Sequence, residues 1–371
     1  MKTTDILVMG GGIIGLAIAT ELALQGAAVT ILSRDFKQAA THAAAGMLAP
    51  QAEALSAGPM LDLCLRSRAL YPDWTRKLEV LTGLDTGYWP CGILAPVYEA
   101  ATNSHSGIQP YPLSATSQWL DQAPIHRRQP GLSPQVVGGW WFPQDAQVDN
   151  RALAQVLWAA ATQAGVKLCK EVTVEAIRQQ QGQVIGVETS RGMWQAEKYV
   201  LAAGAWSAQL LPIPVTPCKG QMLSVRVPSH QEQPLKQVLF GSEIYIVPRQ
   251  DGRIIIGATS EDVGFTPYNT PAGIQALLRE AIALYPSLQN FPLQEFWWGF
   301  RPATPDEYPI LGPGPYENLI LATGHYRNGI LLAPVTAALI ADLILSQKTD
   351  PLLEHFHWQR FPAQPEQRLT R

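Results

Sequence analysis

Three glycines spaced Gly10-x-Gly12-x-x-Gly15 follow an apolar run and open a helical pattern, and few folds accept that order of elements. Within Asp5–Met9 the consecutive Ile6, Leu7 and Val8 do not alternate with polar residues, which predicts a parallel strand buried on both faces. From Ile13 to Gln25, Leu16, Ala19, Ala23 and Leu24 recur at helical spacing, which predicts a helix with one apolar side, ended by Gly26. Ala28–Leu32 then reads as a second strand. In such a unit the first glycine permits the tight turn, the second lets a pyrophosphate approach the backbone, and the third lets helix lie on strand. The helix N-terminus at Ile13 and Ile14 would offer N–H groups and a favourable dipole to the phosphates.

The end of the second strand leaves the nucleotide open. An acid there ordinarily holds an adenosine ribose, but the chain reads Leu32-Ser33-Arg34-Asp35. Ser33 and Arg34 would suit a 2′-phosphate, as in an NADP enzyme, while Asp35 could reach a ribose from the loop.

A chain of 371 residues exceeds what one core usually supports, so two domains are expected. A helix over Val148–Ala164 and strands near Val166–Leu168, Val172–Ile177, Val184–Thr189, Trp194–Ala196 and Tyr199–Ala202 extend the α/β pattern. The strand Leu319–Ala322 and an apolar helix over Gly329–Leu345 complete it. The expected cofactor domain is therefore discontinuous: 1–83, 146–217 and 302–371. Residues 84–145 are rich in Pro, Gly and aromatics, and 218–301 hold strands at Met222–Val227, Ile244–Val247 and Ile254–Gly257. These form the expected second, α+β substrate domain on a mostly antiparallel sheet. The polar tail after Trp358 is expected to fray.

A net charge of -3, with 27 basic and 30 acidic residues, gives no footprint for nucleic acid. Cys64, Cys91, Cys169 and Cys218 form no CxxC pair, which argues against a zinc cluster and suits a reducing cytoplasm. Asp5 and the run Gly10-Gly11-Gly12 spoil a signal-peptide core, and Gly329–Leu345, carrying Pro334 and Asp342, is short for a bilayer span. No membrane association is expected.

Two further segments decide the cofactor. Thr41-His42-Ala43-Ala44-Ala45-Gly46-Met47 is a run of small residues on which a flat ligand could lie, or else a closely packed helix start. Leu201-Ala202-Ala203-Gly204-Ala205-Trp206 is a strand meeting a small-residue turn. With the first glycine motif and His325–Leu331, these resemble the FAD-dependent D-amino-acid oxidase superfamily, and within it the glycine oxidases of thiamine biosynthesis. The resemblance runs from about residue 5 to 345. It implies an FAD-binding, Rossmann-like fold of the glutathione-reductase type. The cofactor contacts it implies are Gly10, Gly12, Ile13, Ile14, Gly15, Ser33, Arg34, Thr41, His42, Ala45, Gly46, Met47, Val174, Gly204, His325, Tyr326, Arg327, Asn328, Gly329, Ile330 and Leu331. No cysteine follows Cys218, so a C-terminal thioether to the flavin has no residue to form on, and FAD is expected to be non-covalent.

Arg301 stands in Phe296-Trp297-Trp298-Gly299-Phe300-Arg301-Pro302, the most aromatic stretch of the chain. A guanidinium taken from water there needs an anion, either an internal acid such as Asp306 or Glu307 or a ligand carboxylate. The resemblance favours the carboxylate of a substrate amino acid, with Tyr245 and Arg327 beside it. Period-two alternation puts Glu243, Tyr245 and Val247 on one strand face, Ile244 and Ile246 on the other. Glu243 and Ser260 stand where the compared glycine oxidases carry His and Met, and Ser33 replaces the ribose-binding acid; the first two bear on which amine is preferred. The expected reaction is oxidation of glycine, sarcosine or a small D-amino acid to an imine with dioxygen reduced to peroxide. Expected partners are that amino acid, dioxygen, a thiazole synthase and further copies of the chain. A D-amino-acid or sarcosine oxidase or dehydrogenase, an NADP-dependent reductase and a non-catalytic FAD-binding regulator are the alternatives.

Overall fold

The computed structural model describes residues 2–98 and 116–362. Five parallel strands form the centre of the first sheet, in the order Leu319–Thr323, Gly192–Leu201, Lys2–Met9, Val29–Ser33 and Lys167–Lys170. Ile310–Pro313 adds an antiparallel edge, and Gln183–Thr189 with Val174–Gln180 form an antiparallel flap on Gly192–Leu201. That last strand is continuous through Trp194 and Tyr199, where two separate strands were expected.

The first strand is buried on both faces, as its unbroken apolar run requires. Ile6 and Val8 pack beneath the helices, while Leu7 and Met9 meet Trp194, Tyr199 and Leu211 on the other side. The helix Ile13–Leu24 differs from its amphipathic reading. It is buried nearly all round because helices 150–163 and 329–341 enclose it, while Leu24 points to solvent. Gly26, at φ +93°, closes it: Ala27 N–H donates to Leu22 O at 3.1 Å and Gly26 N–H to Ala23 O at 2.9 Å.

The helix Gly329–Ala341 continues as a π turn over Asp342–Ser346. Gly329–Ser346 is, among the described residues, the one helix long and apolar enough to cross a membrane. Here it is a core helix, held by two hydroxyls of Pro59–Thr82: Ser67 donates to Leu331 O at 2.6 Å and Tyr71 to Ile330 O at 2.5 Å. The helices Pro59–Thr82 and Pro271–Leu284 had no counterpart in the sequence reading. The first is interrupted by Pro72, which the structure accommodates within the helix.

The second sheet has eight strands, in the order Leu293–Ala303, Thr216–Arg226, Arg253–Gly257, Tyr245–Pro248, Val238–Phe240, Ile93–Tyr98, Val136–Phe142 and Gln118–Asp121. All neighbours are antiparallel except Val238–Phe240 and Ile93–Tyr98. Leu223, Ile246, Ile254 and Ile256 face the helix Pro271–Leu284, and Met222, Val247, Ile255 and Trp297 face the first sheet's side. Ile244 and Ile246 thus share one side and Val247 takes the other, as the alternation requires.

Arg249 ties the two halves together. It is buried, donates through Nη2 to Ala45 O at 2.8 Å and to Asn150 Oδ1 at 3.1 Å, and through Nη1 to the side chain of Gln147. Trp358–Arg360 forms a helical turn, and the tail from 363 onward lies outside the described residues.

Candidate active site

A cavity of about 720 Å³ runs between the two sheets, from the glycine turn at its first end to Arg301 and Tyr245 at the other. Both sheets and the last helix contribute to its wall.

At the glycine end, three positions forbid a side chain and one does not. A Cβ on Gly10 would run into the carbonyl of Ala202, one on Gly15 into the carbonyl of Gly10, and one on Gly11 into the ring of Phe36. On Gly12 a Cβ would meet nothing of the protein closer than 3.6 Å, although this residue faces the cavity. Gly12 is bare towards the space a ligand would fill, as a backbone that must approach a phosphate needs to be. Ile13 N–H, the first of the helix, donates to Thr41 Oγ1 at 2.8 Å. Thr41 therefore shapes the helix start from within the protein.

Ser33, Arg34 and Asp35 line the cavity where the second strand ends. Arg34 lies over the ring of Trp206 with its Cζ 4.7 Å from the centroid. Asp35 caps the turn Phe36–Gln38 by accepting from Lys37 N at 2.8 Å. The small-residue run supplies Ala40, Thr41, Ala43, Ala44, Ala45, Gly46 and Met47 to the wall. Both readings of that run meet here, since Ala40–Ala43 is one helical turn and also cavity surface. Val174, Gly204, His325, Tyr326, Arg327, Gly329 and Ile330 line the same space. Gly15, His42, Asn328 and Leu331 are not among the lining residues. Gly15 packs helix on turn, His42 gives its carbonyl to Arg151 Nε at 3.2 Å, and Asn328 immediately precedes the last helix, its side chain making no capping hydrogen bond.

At the far end, Arg301 projects from the edge strand Leu293–Ala303. Its Nη1 donates to Thr259 O at 3.1 Å. Asp306, one candidate internal partner, is engaged instead by Arg360 at 2.7 Å, and among the described residues no carboxylate pairs with Arg301. Tyr245, partly buried, faces the guanidinium. Burial pushes its hydroxyl above the usual phenol range, with Arg301 opposing the rise, so the group is a neutral O–H donor. The hydroxyl also reaches Met222 Sδ at 3.3 Å. Arg327 closes the mouth, half exposed, its Nη2 3.9 Å from Glu53 Oε2. His325 is buried and its Nε2 lies 3.2 Å from Thr336 Oγ1; burial lowers its pKa to about 3 and keeps it neutral.

A cationic fork with no carboxylate partner among the described residues, beside a neutral hydroxyl, has the chemistry to hold one small carboxylate. Glu243 and Ser260 also border this end, Glu243 from the turn before its strand rather than from the strand itself. Sequence reasoning missed Gly220, Thr259 and Glu53. An isolated glycine inside a strand pattern signals close approach, and Gly220 carries that signal. Glu53, an acid in the apolar stretch Ala49–Leu55, was visible in the same way.

A bifunctional protein ThiO/ThiG of Trichormus variabilis is 67% identical over 98% of this chain, which matches 56% of that protein. The chain thus spans about half the length of the ThiO/ThiG relatives it matches. A glycine oxidase of Geobacillus kaustophilus is 36% identical over 93% of this chain and 94% of its own. The crystal structure of glycine oxidase from Geobacillus kaustophilus superposes with a TM-score of 0.89 at 34% identity, covering 98% of this chain and all of that one. The DAO family model, described as FAD dependent oxidoreductase, matches residues 5–343, and the chain belongs to that family.

Proposed function

We propose that the chain oxidises the amine of glycine to an imine, with dioxygen reduced to hydrogen peroxide. The observation that carries this reading is Arg301: a partly buried guanidinium with no carboxylate partner among the described residues, lining a cavity that begins at a dinucleotide-type glycine turn. In this reading FAD lies along the cavity without a covalent bond. Gly10, Gly12, Ile13 and Ile14 would hold its phosphates, Ser33, Arg34 and Asp35 its ribose, and Ala45–Met47 with His325–Ile330 its ring. Bound there, FAD would supply the redox chemistry between the amine and dioxygen.

The chain's own residues supply orientation and electrostatics. The fork of Arg301 and the hydroxyl of Tyr245 donate to the two oxygens of the substrate carboxylate, and Arg327 adds positive charge at the mouth. The aromatic and small side chains around them limit the space to a short substrate and exclude water. The imine is hydrolysed to glyoxylate and ammonia or handed to a thiazole synthase in thiamine biosynthesis. The ThiO/ThiG naming of the longer relatives supports the second fate. The domain division 1–83, 146–217 and 302–371 against 84–145 and 218–301, self-association, and residence in a reducing cytoplasm belong to the same proposal. The four free cysteines agree with such a compartment.

A second reading, sarcosine or a small D-amino acid as the preferred amine, is favoured by Ser260 and Glu243 at the substrate end. Peroxide release from glycine, sarcosine and D-alanine, measured in parallel with the product from glycine identified as glyoxylate, separates the two. Faster turnover of either competitor than of glycine overturns the first reading.

A further inference from the structure

Glu53 is a buried acid that the carboxylate receptor does not use. It follows the turn Ala49–Ala52, fixed where Ala52 N–H donates to Asp145 Oδ2 at 2.9 Å and Glu53 N–H donates to Ala49 O at 2.9 Å. The side chain is 9% exposed, lines the cavity, and leaves Oε2 without a hydrogen-bond partner among the described residues. Arg327 Nη2 lies 3.9 Å away, too far to satisfy that oxygen. A buried carboxylate oxygen left unpaired costs free energy unless a ligand donor meets it. An amino acid seated on Arg301 carries such a donor at its other end.

We propose that Glu53 binds the ammonium group of the substrate and takes one proton from it. This rests on the reading of the chain as an oxidase of a small amino acid. An N–H of the ammonium donates to Oε2; the N–H bond breaks, its electron pair stays on nitrogen, and the proton forms an O–H bond on Glu53. The products of the step are a neutral amine, which releases hydride far more readily than an ammonium, and a neutral carboxylic acid. Burial raises the pKa of Glu53, opposed by Arg327 and Arg301 and assisted by Glu307, which makes it a better proton acceptor than an exposed carboxylate. Tyr245 and Cys64 are the other titratable groups that sense its charge, and both stay neutral through the physiological range.

The test uses the FAD-loaded chain, wild type and Glu53→Gln, with Arg327→Gln in parallel. Anaerobic flavin reduction by glycine is followed against pH, and acetate, which has the carboxylate without the amine, is titrated by its effect on the flavin spectrum. The expected result for Glu53→Gln is a rise of about tenfold or more in the glycine concentration for half-maximal reduction, with acetate binding changed less than about twofold. Its reduction rate should also climb about tenfold per pH unit where the wild type is level, because the variant must wait for free neutral amine. An unchanged pH profile, or glycine and acetate weakened by the same factor as in Arg327→Gln, overturns the proposal. Glycine leaving the wild-type flavin yellow would instead sink the glycine reading. The amine that does bleach it then replaces glycine in the comparison, and bleaching by none of the panel overturns both.

Discussion

A Cβ on Gly220 would stand 2.7 Å from both terminal nitrogens of Arg301, so the guanidinium lies over a place that only glycine leaves open. The two residues are on adjacent strands, Thr216–Arg226 and Leu293–Ala303. Gly220→Ala should push the fork off its carboxylate-binding position while the fold survives. We expect the KM for glycine to rise roughly tenfold with bound FAD unchanged, read by steady-state peroxide assay and flavin absorbance. An unaltered KM would show that the fork has room elsewhere.

Arg301→Lys keeps the charge and removes the planar pair of donors. The expected outcome is a protein that still purifies yellow, with KM for glycine raised about 10- to 100-fold, or about 1.4–2.7 kcal/mol of lost binding. A KM within twofold of wild type would remove Arg301 from the substrate site.

The glycines of the first turn separate cofactor binding from folding. Gly12 has φ -74° and ψ -177°, which alanine adopts freely, and its Cβ would meet no protein atom within 3.5 Å. Gly12→Ala should fold with stability changed by less than about 0.5 kcal/mol in the absence of FAD, yet bind FAD at least about tenfold more weakly. Gly15→Ala drives a methyl into the carbonyl of Gly10 and should lose about 1–3 kcal/mol or more of stability. Thermal melts of FAD-free protein and FAD titration by fluorescence check both halves, and equal melting temperatures for the two variants would contradict the account.

His325 sets an acid limit. Its pKa falls from the usual 6.5 to about 3 on burial, so below pH 6.5 the unfolded chain binds a proton that the native chain refuses. Stability therefore falls as pH drops from 6.5 towards 3 and is independent of this group above 6.5. Between pH 7 and 5 the loss is about 2 kcal/mol, at about 1.4 kcal/mol per unit. Urea unfolding at saturating FAD should show this loss in the wild type and a smaller one in His325→Gln. Equal losses in the two would mean that His325 is protonated inside the fold.

Much of this arrangement was legible in the chain because its strongest signals are local. Ile6-Leu7-Val8 followed by Gly10, Gly12 and Gly15 specifies strand, turn and helix within one short segment. The alternation through Ile244, Tyr245, Ile246 and Val247 fixes which side chain faces which layer. What sequence left dark depends on contacts between distant segments. Thr41 reads as a ligand contact, and only the fold adds that its hydroxyl also accepts from the Ile13 N–H. The helix Ile13–Leu24 reads as one-sided until the last helix, more than 300 residues on, is seen to cover its other face. Pro59–Thr82 carries only a weak apolar stripe and an internal proline; it is held by burial of Met60, Leu63, Cys64, Tyr71 and Leu78 in the core and by hydroxyls bonding to the Gly329–Ala341 backbone, pairings no local pattern encodes. Gly220 and Glu53 carry local signals, but what each one serves is seen only once Arg301 and Arg327 are placed beside them.

The central claim is that Arg301 anchors glycine with its methylene turned to the flavin. Its most direct test is anaerobic addition of glycine to the purified yellow protein, followed by absorbance. The account predicts loss of the oxidised flavin spectrum at a stoichiometry of one glycine per flavin, with recovery on admitting air. A flavin that stays oxidised under excess glycine, while sarcosine or D-alanine bleaches it, would contradict that claim.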